Sequence, residues 1–347
     1  MLVPQLHTPF AMTKVLATAL GCLIVVMLWG AASAETLQFE LPLDCDMRSD
    51  CFIQQYFDHV PGAEYGDYAC GRLSYDGHTG TDFRVRDLVQ MEEGIPVLAA
   101  APGTVRATRD GMDDVSVNEI GLDALGDRFA GNSVVISHGA GVETQYSHLR
   151  KGSVRVRSGQ RVRAGDVLGL VGLSGRTEFP HLEFSVRVRG KAVDPFIGVA
   201  DDPECALGDD PLWTEQALSL LPYEPTRLLG SGFAATPPSR DEVARRMHRK
   251  TVFAPESEAL VFWIRVAGLL EGDRLEFALT GPEGRVLARH AQRMKRSKVQ
   301  FFQYVGSKRG NSNWPVGEYV GRFILRRSNP DGEGVVIDSS NRATVSR

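Results

Sequence analysis

His181-Leu182-Glu183-Phe184-Ser185-Val186 is the stretch on which the reading turns. Polar and apolar residues alternate, so a strand here sets His181 and Glu183 on one face and Leu182, Phe184 and Val186 on the other. Working outward, short apolar or alternating runs recur at Ile95–Ala100, Gly103–Val105, Asn132–Ile136, Glu143–Tyr146 and Val167–Val171. Turns with glycine separate them, as in Ala101-Pro102-Gly103, Arg157-Ser158-Gly159-Gln160 and Arg163-Ala164-Gly165-Asp166. No long amphipathic helix interrupts the series. The polar stretch Gly111–Gly131 reads as a long loop, of the kind that often walls a cleft. An all-β domain is expected over residues 73–200.

Beyond it the text changes. Pro203, Pro211, Pro222, Pro225, Pro237 and Pro238 punctuate residues 201–250, which read as a linker with a short helix opened by Ser239-Arg240-Asp241-Glu242. Ala259–Val266, Arg274–Thr280, Val299–Val305, Tyr319–Arg326 and Val335–Asp338 then read as strands of a small C-terminal β-sandwich over 251–347. The chain of 347 residues is long enough for about two domains. With 43% hydrophobic and 24% charged residues it is neither a disordered chain nor a multi-span membrane protein.

Formal charge is −4 in total, which makes no case for a nucleic-acid partner. The charge is divided, however. Glu35 to Ser239 holds 18 basic and 31 acidic residues, and Arg240 to Arg347 holds 20 basic and 12 acidic. Lys295-Arg296-Ser297-Lys298 and Lys308-Arg309 add local positive density, suited either to solvation or to docking an anionic polymer or protein.

At the N-terminus, Val15–Gly30 is an uncharged apolar run after Lys14, followed by Ala32-Ser33-Ala34. That is the form of a secretory signal peptide over 1–34, cleaved after Ala34. The run is shorter than the ~20 residues of a spanning helix, so no stable membrane span is expected after cleavage. Removing Cys22 with the signal leaves Cys45, Cys51, Cys70 and Cys205. Four cysteines in an oxidising compartment predict one or two disulfides, with three connectivities open. Three of them fall in the segment 35–72.

The chemistry-bearing residues are histidines and acids. His78-Thr79-Gly80-Thr81-Asp82 places an imidazole and a carboxylate four residues apart beside glycines, and Tyr146-Ser147-His148-Leu149 offers another imidazole at a strand end. His78, Asp82 and Glu183 form a nitrogen, oxygen, oxygen set that zinc accepts. His59, His138, His248 and His290 read as structural, His138 in Ile136-Ser137-His138-Gly139 being the one of the four that could instead line the site.

Asp76–Phe83, Gly131–Gly139, Thr144–Leu149, Val162–Gly169 and Pro180–Phe184, in that order, resemble the M23 peptidoglycan endopeptidases of lysostaphin or LytM type. The resemblance covers about Leu73 to Phe196. It implies an antiparallel M23/LytM-type β domain and a Zn2+-dependent metalloendopeptidase that cuts the peptide stems or bridges of bacterial cell wall, exported to the periplasm or envelope. By the same resemblance His78 and Asp82 are zinc ligands, while His148 and His181 do acid-base and intermediate-stabilising work. The family's third ligand is the second histidine of a closing HxH, and this chain has Glu183 there. The substitution leaves a second reading, a catalytically degenerate LytM-domain regulator that binds wall or activates a separate amidase.

Overall fold

The strand His181–Val188 lies inside an eight-stranded antiparallel sheet. The sheet runs Cys51–Gln55, Thr81–Val85, His181–Val188, Val142–Leu149, Asn132–Gly139, Gly103–Arg109 and Arg161–Val162, with Lys191–Val193 folded back onto His181–Val188. The computed structural model describes Met1 and residues 37–199, 205–329 and 332–347. The expected signal peptide therefore lies, Met1 apart, outside the described residues. Among the described residues helices are short, the longest being the six residues Leu88–Glu93, and no helix is long and apolar enough to cross a membrane. Among the described residues the protein is mostly β, its sheets antiparallel except for the short parallel pairing of Val252–Phe253 with Gly332–Val345.

Alternation does in space what it promises in sequence. Phe83, Val85, Tyr146, Leu182, Phe184 and Val186 enter one apolar core, which Phe39 and Trp213 close from behind. The Phe184 and Trp213 rings lie 5.3 Å apart. Removing such aromatic surface from water is worth roughly 1.5–3 kcal/mol per side chain. The opposite face of the same strands carries Asp82, Arg84, His181 and Glu183. The Gly111–Gly131 stretch is irregular except for the helix Val117–Ile120 and the 3-10 turn Leu122–Ala124.

Further along, a three-stranded sheet (Arg227–Ala234, Ala259–Leu269, Lys298–Lys308) faces a five-stranded one (Val252–Phe253, Gly332–Val345, Gly317–Asn329, Arg274–Thr280, Val286–Arg293). Phe262 and Ile264 of the first share a core with Leu275, Phe277, Phe323 and Leu325 of the second. The stretch expected to be a linker contributes to both cores. Trp213, Ala217 and Leu221 lie in the first, and Arg227–Ala234 is a strand. In that strand Gly232 is there for room: a Cβ on it would stand 3.0 Å from Cζ2 of Trp263.

The two regions are in contact within one compact unit, Leu37–Arg347. Phe52 packs on Leu229 and Ala267, and the Gln54 amide donates to the Val299 carbonyl at 3.3 Å. Arg84, fully buried on the polar face of the first sheet, donates to Oε1 of Gln54 at 2.8 Å and of Gln300 at 2.7 Å. All four remaining cysteines are paired, Cys45 with Cys51 and Cys70 with Cys205.

Candidate metal centre

Strand register assembles the centre. Asp82 lies directly opposite Glu183, and Arg84 opposite His181, so the pleat turns these side chains to one face. His78 enters from the turn before its strand. Its Nε2 stands 3.1 Å from Oδ1 of Asp82 and 3.9 Å from Oε1 of Glu183. The Nε2 of His181 is 3.5 Å from the same Asp82 oxygen.

His148 arrives by a departure from regular structure. Its neighbour Ser147 is the register partner of Glu183, so strict alternation would turn His148 to the far face. Its φ of 64° instead lies in the left-handed region, uncommon away from glycine. The ring swings back until Nε2 is 3.3 Å from Oε2 of Glu183 and the ring centroid 4.7 Å from that of His181. Backbone strain of this kind concentrates at functional sites. The five side chains singled out in the sequence, His78, Asp82, His148, His181 and Glu183, thus come together. Glu183 is the most accessible, with 20% of its side chain exposed.

The three imidazoles share one orientation. Nδ1 of His78 donates to the Tyr56 carbonyl at 2.8 Å, that of His148 to the Ser174 carbonyl at 2.7 Å, and that of His181 to the Phe179 carbonyl at 2.9 Å. A carbonyl only accepts, so each Nδ1 carries a proton and each ring turns its Nε2 to the carboxylates, protonated where the ring is charged and bare where it is neutral. Such anchoring is how metal-ligating histidines are held in tautomer and angle.

Electrostatics follow from the crowding. Burial opposes charge on His78, but the Asp82 carboxylate, with Glu183 behind it, outweighs burial and raises the pKa to about 9. At His148 burial is likewise overcome by its hydrogen bond and charge interaction with Glu183, and the pKa rises. Burial wins at His181, which falls to about 4 despite Asp82. Burial would raise both acids, yet the imidazoles hold Asp82 and Glu183 below the usual carboxylate range.

Imidazole nitrogens and carboxylate oxygens are the donor types that zinc accepts. Among the described residues no group of three or more His, Cys, Asp or Glu side chains is placed to hold a metal ion. Here the nitrogen and oxygen atoms hydrogen-bond and ion-pair with one another instead. Their separations of 3.1 and 3.9 Å from His78 bracket the ~3.3–3.6 Å that tetrahedral donors at about 2.0–2.2 Å from zinc would have. Space is reserved as well. A Cβ on Gly80 would stand 2.8 Å from Cγ and 3.1 Å from Oε1 of Glu183, so the missing side chain is where the glutamate lies.

The sequence reading missed the aromatic walls. Tyr75 stacks on His78 with centroids 4.4 Å apart, and Phe179 packs on His181 at 4.8 Å with the Arg84 guanidinium 4.3 Å over its ring. Only their closeness in sequence to the two histidines hinted at this. His138 stays apart: its ring nitrogens are taken by the Pro102 carbonyl at 2.7 Å and the Thr144 hydroxyl at 2.8 Å. His59 is held by Asp194 at 2.7 Å.

Residues 76–195 match Peptidase family M23. The chain is 34% identical over 140 residues to the DD-carboxypeptidase/endopeptidase Mpg of Neisseria meningitidis serogroup B, covering 40% of this chain and 26% of that protein. It is 37% identical over 117 residues to the peptidoglycan DD-endopeptidase ShyA of Vibrio cholerae, covering 34% of this chain and 22% of ShyA. The match thus spans about a quarter of the length of these curated relatives. Among solved structures, a mutant catalytic domain of the prophage-encoded M23 protein EnpA from Enterococcus faecalis aligns at 24% identity and a TM-score of 0.30, over 46% of this chain and 94% of that one.

Proposed function

With residues 76–195 forming a Peptidase family M23 domain, we propose that the chain is an exported zinc metalloendopeptidase. Its substrate is the peptide cross-links or stem peptides of bacterial peptidoglycan, and its place the periplasm or cell envelope. The observation that carries the reading is the convergence of His78, Asp82 and Glu183 on one point with Nε2 of His148 alongside. The names of its relatives, peptidoglycan DD-endopeptidase among them, support the substrate class.

In this reading His78, Asp82 and Glu183 hold the ion. Zinc bound there supplies Lewis-acid polarisation of the scissile carbonyl and activation of water. The protein's own work lies with His148 and His181. Because each Nδ1–H is committed to a backbone carbonyl, proton exchange at either ring runs through Nε2. One Nε2 takes a proton as water attacks, and the other donates to the developing oxyanion, the proton passing on to the leaving amine. Burial of both rings excludes bulk water from these exchanges.

The test is muropeptide release from purified sacculi by the zinc-loaded mature chain. Release by the wild type, reduced ~10²–10⁴-fold in His148→Ala and His181→Ala with zinc retained, supports the reading. A zinc-loaded wild type that releases nothing contradicts it and favours the regulator.

A further inference from the structure

A cavity of about 400 Å3 opens where the three-stranded sheet meets the segment Arg86-Asp87, a size suited to a small ligand. Its lining is strongly cationic. Arg249 and Lys250 follow the helix Arg240–Ala244, and Arg265 rises from the strand Ala259–Leu269. Asp87 is the one carboxylate among the lining residues, and it is spent: Oδ1 accepts from the Gln90 N–H at 2.9 Å and Oδ2 from Nε of Arg246 at 2.7 Å. Arg245 pairs with Glu92 and Arg246 with Asp87 and Glu93, and none of these ion pairs among the described residues takes in Arg249, Lys250 or Arg265.

Two further features mark the cavity as incomplete by itself. Arg265 is a half-buried guanidinium whose desolvation outweighs the attraction of the Asp87 carboxylate and pulls its pKa below the ordinary value. Trp263, 6% exposed at the cavity wall, has an indole N–H without a hydrogen-bond partner. Fixed cations gathered without counter-charge are costly to a fold and are the usual means of recognising an oxyanion.

We propose that this cavity binds the phosphate group of a small phosphomonoester. Three unpaired cations call for a dianion rather than a single carboxylate. The guanidinium fork of Arg265 matches two phosphate oxygens, and Arg249 and Lys250 close over the rest as charges at the mouth. The site lies on different residues from the metal centre and stands or falls independently of the proposed hydrolysis.

The experiment is calorimetric titration of the mature chain with glycerol 3-phosphate in low-salt, phosphate-free buffer, with acetate in parallel. Saturable binding of glycerol 3-phosphate is expected, weakened at least tenfold in Lys250→Glu and in Arg265→Gln, unchanged in His78→Ala, and absent for acetate. Lys250 is exposed, so its variant keeps the test valid should Arg265→Gln fail to fold. No saturable heat, equal binding of acetate, or an unchanged affinity in Lys250→Glu overturns the proposal.

Discussion

The carboxylate of Glu183 stands 3.3 Å from Nε2 of His148. With its other oxygen 3.9 Å from Nε2 of His78, it joins the proposed ligands to the proposed proton-handling pair. An anionic third ligand would leave less positive charge on a bound ion than imidazole would, so water on it would be less acidic and hydrolysis slower. Glu183→His is therefore expected to keep one zinc per chain and to match or exceed the wild-type rate on sacculi. Loss of zinc from that variant would count against the ligand assignment.

His78 is anchored at Nδ1 and shares Nε2 with both acids. His78→Ala should reduce bound zinc and wall hydrolysis to background together, measured by metal analysis and muropeptide release. Undiminished activity would end the hydrolytic account.

Gly80 offers a subtler test, because no ligand is removed. Gly80→Ala puts a methyl 2.8 Å from Cγ of Glu183 and must displace the carboxylate. Zinc affinity is expected to fall ~10–100-fold, as for other changes that misplace a ligand, with thermal stability nearly kept. An affinity equal to wild type would show that Glu183 does not reach the ion.

These residues also show where sequence was a sufficient guide. The spacing of His78 and Asp82 and the i, i+2 relation of His181 and Glu183 are local properties, so they could be read directly. His148 could be named but not placed, since its arrival depends on a left-handed backbone at 64°. The strand Cys51–Gln55 is buried on both faces and shows no alternation, while Val286–Arg293 is mostly exposed and lacks an apolar face. The strand Arg227–Ala234 lies among the prolines that made residues 201–250 read as a linker, and the packing reason for Gly232, the Trp263 ring, lies in another strand. Pairing of the cysteines is likewise a property of the folded chain alone.

The disulfides differ in the loops they close, 135 residues for Cys70–Cys205 and six for Cys45–Cys51. Chain entropy alone gives up to about 5 and about 2 kcal/mol respectively. Replacing Cys70 and Cys205 by serine should lower the denaturation midpoint more than replacing Cys45 and Cys51. The reverse order would mean that the N-terminal crosslink holds the strand Cys51–Gln55 by strain or packing rather than by entropy.

Arg84 ties the C-terminal region to the sheet that bears the site, donating to Gln300 at 2.7 Å from a fully buried position. Gln300→Ala leaves that charged donor short of a partner, and should cost about 1–3 kcal/mol in urea unfolding. In the Arg84→Met background the same change should cost much less. An equal cost in both backgrounds would show that the contact contributes nothing to stability.

The most direct measurement is anomalous diffraction at the zinc edge from crystals of the mature chain grown with zinc. A single peak bonded to Nε2 of His78, Oδ1 of Asp82 and a Glu183 carboxylate oxygen is the predicted result. A density map with no peak there, or a peak with Glu183 turned away from it, would contradict the account.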